Sequence, residues 1–163
     1  MKYLSVFITG GAGYIGSLLV PQLLSLGYKV TVYDIMYFGK EFLPKDNPNL
    51  TIIEGDIRDK ERLRRALEDI DIVFHTAALK HVPVIEYNPF EAIKTNVIGS
   101  QNVIDTCLEE NVEKVICVGT DKAVSPLNTY GATKLLMEKL FVSADNYLNK
   151  QRHQTKFIAL RYG

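Results

Sequence analysis

Neither sign of charge dominates this sequence: 19 Lys and Arg balance 19 Asp and Glu over 163 residues. No block of basic residues forms a stripe, because Arg62, Arg64 and Arg65 alternate with acids on one short helical stretch, so nothing points to nucleic acid. Every apolar run is too short to span a membrane. Met1-Lys2-Tyr3 leads straight into a strand-like run rather than a secretory signal. Only two cysteines occur, Cys107 and Cys117; they sit in apolar patterns without metal-ligand spacing. They read as reduced core residues of a cytoplasmic protein, with no metal site expected. Internal repeats, low-complexity tracts and linkers are lacking too, so residues 1–163 read as one domain with one core.

What the sequence does have is TGGAGYIG from Thr9 to Gly16, after the apolar run Leu4 to Ile8 and before a helical pattern from Tyr14 to Leu26. Strand, glycine turn and helix in that order suit a dinucleotide phosphate. Gly10 would permit the tight turn, Gly13 the approach of a pyrophosphate to backbone, and Gly16 close packing of helix on sheet. The amides of Tyr14 and Ile15 open the helix, where its positive dipole end would face phosphate. A second apolar run, Tyr28 to Tyr33, ends on Asp34. A carboxylate about 20 residues beyond the glycines would accept from the adenosine ribose hydroxyls and repel a ribose phosphate, which favours NAD over NADP. The plain alternative is an ordinary glycine turn with a surface Asp at the next strand end.

Further strands are expected at Leu50–Glu54, Asp71–Thr76, Val112–Val118 and Phe157–Leu160. Between them lie a short helix capped by Asp59, a helix from Asn88-Pro89 to Glu110, and another from Thr129 to Leu148. Tyr37 to Asn49 reads as a loop, and Pro21 as a bend in the first helix. Strands that alternate with helices and are apolar throughout indicate a doubly wound parallel sheet in the order 3-2-1-4-5-6. Ligands bind such a sheet beyond the carboxyl ends of its strands. After strand three, Asp56 would accept from the adenine amino group and Ile57 would cover the ring; otherwise they are a helix cap and turn. After strand four, Ala77, Ala78 and Leu79 are small enough, or placed well enough, to admit cofactor beside the backbone, while His81 alone carries little weight. After strand five come Thr120, Asp121 and Lys122, then Tyr130 and Lys134 one helical turn apart. The Lys134 ammonium would favour tyrosinate, making Tyr130 a general base at a substrate hydroxyl with Thr120 sharing the hydrogen bond.

GGAGYIG, Asp34, GDIRD and YGATK resemble the extended short-chain dehydrogenase/reductase superfamily, with its Rossmann fold, over the whole chain. From Asp71 onward, AALKHVP, NPFEAIKTNVIGSQNVID and TDKAVSPLNTYGATK are similar to the inverting UDP-N-acetylglucosamine 4,6-dehydratases and their polysaccharide-biosynthesis relatives. The glycine turn looks more like that of the NAD-dependent epimerases, as if front and back joined two branches. The resemblance implies that Tyr130 takes the proton of the sugar 4-hydroxyl and that Lys134 holds the nicotinamide ribose. It implies that Lys122 takes the C5 proton and Asp121 protonates the oxygen leaving C6. Without it, Asp121-Lys122 would be an exposed ion pair of little worth. It also implies a homodimer and a nucleotide-sugar substrate such as UDP-N-acetylglucosamine. In that family LRYG opens into a substrate domain, so the expectation here is an NAD-binding domain with weak turnover. The other readings are an epimerase or dehydratase completed by a second chain, and an inactive scaffold, natural or engineered.

Overall fold

A computed structural model describes residues 4–147 and 154–162, with side chains from 4–145 and 154–162. Six strands form one sheet: β1 (Ser5–Thr9), β2 (Lys29–Asp34), β3 (Leu50–Glu54), β4 (Ile72–His75), β5 (Lys114–Val118) and β6 (Lys156–Leu160). Their order is β3-β2-β1-β4-β5-β6, as the apolar runs and the glycine turn predict. Every neighbouring pair is parallel; Thr9, for example, is in register with Tyr33 on one side and His75 on the other. The carboxyl ends of β1, β2 and β4 therefore meet along one edge, with β5 continuing that edge beyond β4.

The core has two layers rather than one. Side chains alternate across a strand, so Val6 and Ile8 of β1 join Val20, Leu23, Val30 and Val32 beneath helix α1 (Tyr14–Ser25). Phe7 points the other way, into a cluster with Tyr33, Leu63, Val73, Val103, Cys107, Cys117, Met137, Phe141 and Phe157. Cover on both faces is why the strands read as continuous apolar runs. Cys107 and Cys117 are buried and unbridged; burial alone pushes the Cys107 thiol up, and burial first, with Lys134 opposing and Glu138 adding, carries Cys117 to about 12.

Asp59 caps α2 (Lys60–Ala66) as expected, its side chain accepting from the Arg62 amide at 3.1 Å. The segment from Asn88 to Glu110 departs from expectation. It is not one α-helix: α4 (Pro89–Ala92) passes into a π-helical segment, Ile93–Gly99, before α5 (Ser100–Glu109). Asn88 stands at the first cap, but its side chain makes no capping bond. A further helix, α3 (Val82–Tyr87), lies between β4 and α4, where the sequence reading assigned no element. The last helix, α6 (Thr129–Tyr147), runs as predicted, with the expected end at Leu148 outside the described residues. Pro21 lies inside α1, which continues through it.

Candidate active site

The glycine turn is held by close contacts. Gly10 has φ of +72°, and a Cβ there would lie 2.6 Å from the Ala77 amide nitrogen. A Cβ at Gly16 would collide with the backbone of Gly11, so helix and turn pack without a side chain between them. Gly13 differs: a Cβ would meet only the Gly10 carbonyl oxygen, at 3.2 Å, and otherwise open space. No side chain caps α1, and its first turn carries no acid. The first amides of α1, from Tyr14, Ile15 and Gly16, are thus without intrahelical partners. Asp34 accepts from the Ala12 amide at 3.0 Å through one oxygen and from the Met36 amide at 2.8 Å through the other. A carboxylate has about four acceptor positions, so two remain for hydroxyl donors. These three observations fit a dinucleotide at the turn.

Tyr14 is exposed and its ring lies under Lys80, whose Nζ is 5.3 Å from the ring centre. Ile15 is half-buried. Asp56 is less open than expected. Burial raises its carboxyl, but hydrogen bonds and charge from Arg58 prevail and hold it below the ordinary carboxylate range. Arg58 reaches it with the amide at 2.9 Å and Nε at 2.7 Å, and pairs through Nη1 with Glu91. Ile57 is buried, its side chain against Gly99. Ala77 and Ala78 are half-buried beside the glycine turn. Leu79 is gripped at both backbone groups by Asn96 of the π segment: its amide donates to Oδ1 at 2.8 Å and its carbonyl accepts from Nδ2 at 2.9 Å.

The second cluster lies beyond β5. Gly119 donates to the Leu160 carbonyl and Asp121 to the Tyr162 carbonyl, which extends the β5–β6 register into the loop. Asp121–Ala123 forms a single 3₁₀ turn capped by Thr120. A Cβ at Gly131 would meet the Lys122 carbonyl, so glycine lets this turn sit directly on the start of α6. Asn128 accepts from the Gly131 amide, and Glu86 of α3 from the Thr129 amide, fixing that start. Lys122 Nζ is 2.8 and 2.7 Å from the two Asp121 oxygens, and Thr120 donates to Asp121 Oδ1 at 3.0 Å. Lys122, Asp121 and Thr120 form one hydrogen-bonded set at the start of α6, the helix that carries Tyr130.

Lys134 is placed differently from the sequence expectation. It is buried, and its Nζ donates to the Val118 carbonyl at 3.0 Å and lies 3.3 Å from Met137 Sδ. Burial pulls it down to about 8. The Tyr130 phenol is raised, by burial first and then by Tyr162; Thr120 opposes this, and Asp121 adds to it. Tyrosinate is therefore not favoured by the lysine in this state.

Sequence reasoning missed a buried polar chain behind both clusters. His75 ends β4 wholly buried, its ring stacked on Phe141. Ser100 Oγ donates to the Asn96 carbonyl at 2.7 Å, so it accepts from His75 Nε2 at 2.9 Å. Nδ1 then accepts from Thr9 Oγ1 at 2.7 Å, which fixes the tautomer. Burial, with a smaller contribution from Lys134, pushes His75 down to about 3. Asn96 also donates to Thr133 on α6 at 3.1 Å. The available signal was a polar residue closing an otherwise apolar strand. His81, the histidine weighed from sequence, stands at the start of α3 without a side-chain capping bond.

A family model described as polysaccharide biosynthesis protein matches residues 6–163, spanning both the glycine turn and the later motifs. An inverting UDP-N-acetylglucosamine 4,6-dehydratase of Campylobacter jejuni is 46% identical over 98% of this chain and 48% of its own length. A Methanocaldococcus jannaschii protein, named only as an uncharacterized membrane protein, is 49% identical over the same shares. Among solved structures, the UDP-glucose 4-epimerase of Thermotoga maritima with UDP-glucose superposes at a TM-score of 0.87, with 30% identity over 98% of this chain and 55% of that one. The Bordetella bronchiseptica enzyme WbmG in complex with NAD does so at 0.79, with 28% identity over 88% and 50%. The chain spans about half the length of the curated relatives it matches. It belongs to the polysaccharide biosynthesis protein family, among relatives that include nucleotide-sugar dehydratases and epimerases.

Proposed function

We propose that this chain is the NAD-binding part of a nucleotide-sugar 4,6-dehydratase acting on UDP-N-acetylglucosamine or a close analogue. The observation that carries the reading is the hydrogen-bonded set of Thr120, Asp121 and Lys122 seated on the start of α6, the helix that carries Tyr130. Epimerisation at C4 needs one acid–base group at one hydroxyl. Dehydration needs in addition a base at C5 and an acid at the oxygen leaving C6, and Lys122 with Asp121 supplies both.

On this reading Gly10, Gly13, Tyr14, Ile15 and Gly16 cradle the diphosphate, and Asp34 accepts from the adenosine ribose. Asp56 and Ile57 bound the adenine, Ala77, Ala78 and Leu79 border the central part, and Tyr130 and Lys134 hold the nicotinamide ribose. NAD, when bound, takes hydride from C4 and returns it to C6, with no net redox. Tyr130 Oη takes the proton of the 4-hydroxyl, Lys122 Nζ takes the C5 proton, and Asp121 protonates the departing C6 oxygen. A carboxylate at Asp34 disfavours the extra phosphate of NADP. Orientation of the sugar can supply roughly 7 to 11 kcal/mol of such a barrier, and we place most of it outside these 163 residues, so turnover by them alone is slow. The reaction belongs in the cytoplasm, a reading that the free, buried Cys107 and Cys117 support. Among the described residues no helix is long and apolar enough to cross a membrane.

Incubation with NAD and UDP-N-acetylglucosamine, followed by mass spectrometry, tests this. A product lighter by one water, lost in Lys122→Ala, is expected. An isomer of unchanged mass, formed equally by Lys122→Ala, would instead make the chain an epimerase. That second reading draws on Tyr130 and Thr120 alone.

A further inference from the structure

Lys134, one helical turn beyond Tyr130, and Glu138, one turn further, share a face of α6. Each reaches a different strand end. Lys134 Nζ donates to the carbonyl of Val118, the last residue of β5. Glu138 is buried, and its two oxygens accept from Arg161: Oε2 from Nε and Oε1 from Nη2, both at 2.7 Å. A forked pair of this kind fixes orientation as well as distance. Arg161 directly follows β6, and its neighbours carry the loop beyond β5. The Leu160 carbonyl accepts from the Gly119 amide at 2.6 Å, and the Tyr162 carbonyl from the Asp121 amide at 2.9 Å. The turn that bears Asp121 and Lys122 thus hangs from the residues on either side of Arg161. Helix α6 holds it twice, through β5 by Lys134 and through β6 by Glu138.

We propose that Glu138 and Arg161 are positioning residues, whose ion pair keeps the Asp121–Lys122 turn in register with Tyr130 when Lys134 leaves Val118 for the cofactor. The inference deepens the dehydratase reading above and rests on it for the roles of Tyr130, Lys134, Asp121 and Lys122. Lys134 is buried, so reaching a nicotinamide ribose draws its Nζ away from the Val118 carbonyl. The forked pair is then the tie that still joins α6 to the turn through β6. Glu138 and Arg161 move no proton; they act through the backbone that carries Asp121.

Amide hydrogen exchange, read residue by residue by NMR with and without NAD, tests the tie without turnover. Arg161→Lys keeps the charge and loses the fork. In the NAD complex it should speed exchange at Gly119 and Asp121 by about tenfold or more, the scale of one lost charge-assisted hydrogen bond. The free chain should show a smaller increase, and Phe7 and Val32, at the centre of the sheet, should show none. Glu138→Gln, which keeps the shape, should behave alike and decides the matter if Arg161→Lys does not fold. Unchanged exchange at Gly119 and Asp121, or an increase equal with and without NAD, would overturn the proposal. An increase shared with Phe7 and Val32 would overturn it too, by making the pair a contact for stability alone. Turnover gives a second readout. Arg161→Lys should lower kcat for water loss about tenfold at unchanged NAD affinity, the mark of lost positioning rather than lost binding. A fall in NAD affinity that matches the fall in kcat would contradict this. If the unsubstituted chain makes no water-loss product, the dehydratase reading falls and amide exchange alone decides the tie.

Discussion

At the scale of single residues, the site depends on groups held in unfavourable protonation environments. His75 is the plainest case. Its folded value near 3 lies well below the ordinary 6.5. Between those two pH values the unfolded chain binds a proton that the folded chain refuses, so stability falls as pH drops from about 6.5 toward 3, at up to about 1.4 kcal/mol per pH unit. Histidine NMR should show one imidazole of three that stays neutral down to the acid unfolding transition. An imidazole set titrating wholly near 6 would contradict the buried chain from Thr9 to Ser100. Lys134 is shifted in the same direction, down to about 8 by burial, and its Nζ donates to the Val118 carbonyl. A bound sugar and cofactor would have to draw it out before it could tune the phenol.

At the scale of elements, the π-helical segment Ile93–Gly99 is the piece that joins the two clusters. It places Asn96 where one side chain holds the backbone of Leu79 and the hydroxyl of Thr133. Asn96→Ala would leave the half-buried Leu79 amide and carbonyl without these partners. Each such group costs about 1–3 kcal/mol, so we expect a loss of about 2–4 kcal/mol in urea unfolding, with weaker NAD binding as Leu79 is released. An unchanged urea midpoint would contradict the clamp. None of this was legible in the sequence. The apolar positions Ile93, Val97, Val103, Ile104 and Cys107 read equally well as one α-helix, and the widened turn that aims Asn96 leaves no trace in their spacing. The strands were legible for the opposite reason. A strand covered on both faces is apolar where it is buried, and Val6 to Ile8 of β1, Val30, Val32 and Tyr33 of β2 and Val115 to Cys117 of β5 are so. Tyr130 and Lys134 were legible as types and spacing. The partners of Lys134 were not, because Val118 and Met137 are set by how α6 lies on β5.

At the scale of the whole molecule, large apolar side chains stay exposed on two neighbouring helical stretches: Phe90 and Ile98 before α5, and Leu136 and Val142 on α6. We propose that these faces meet in a homodimer, since each helix is already committed to the core on its other side. Light scattering at micromolar concentration should give twice the mass of 18.4 kDa; the monomer mass would contradict it. The account as a whole stands on the edge where β1, β2 and β4 end and on its fitness for a dinucleotide without a ribose phosphate. Calorimetric titration with NAD and with NADP, at one ionic strength, tests that most directly. NAD should bind more tightly than NADP, and Asp34→Ala should narrow the difference. Equal affinities, tighter NADP binding, or no heat with either dinucleotide would contradict the account.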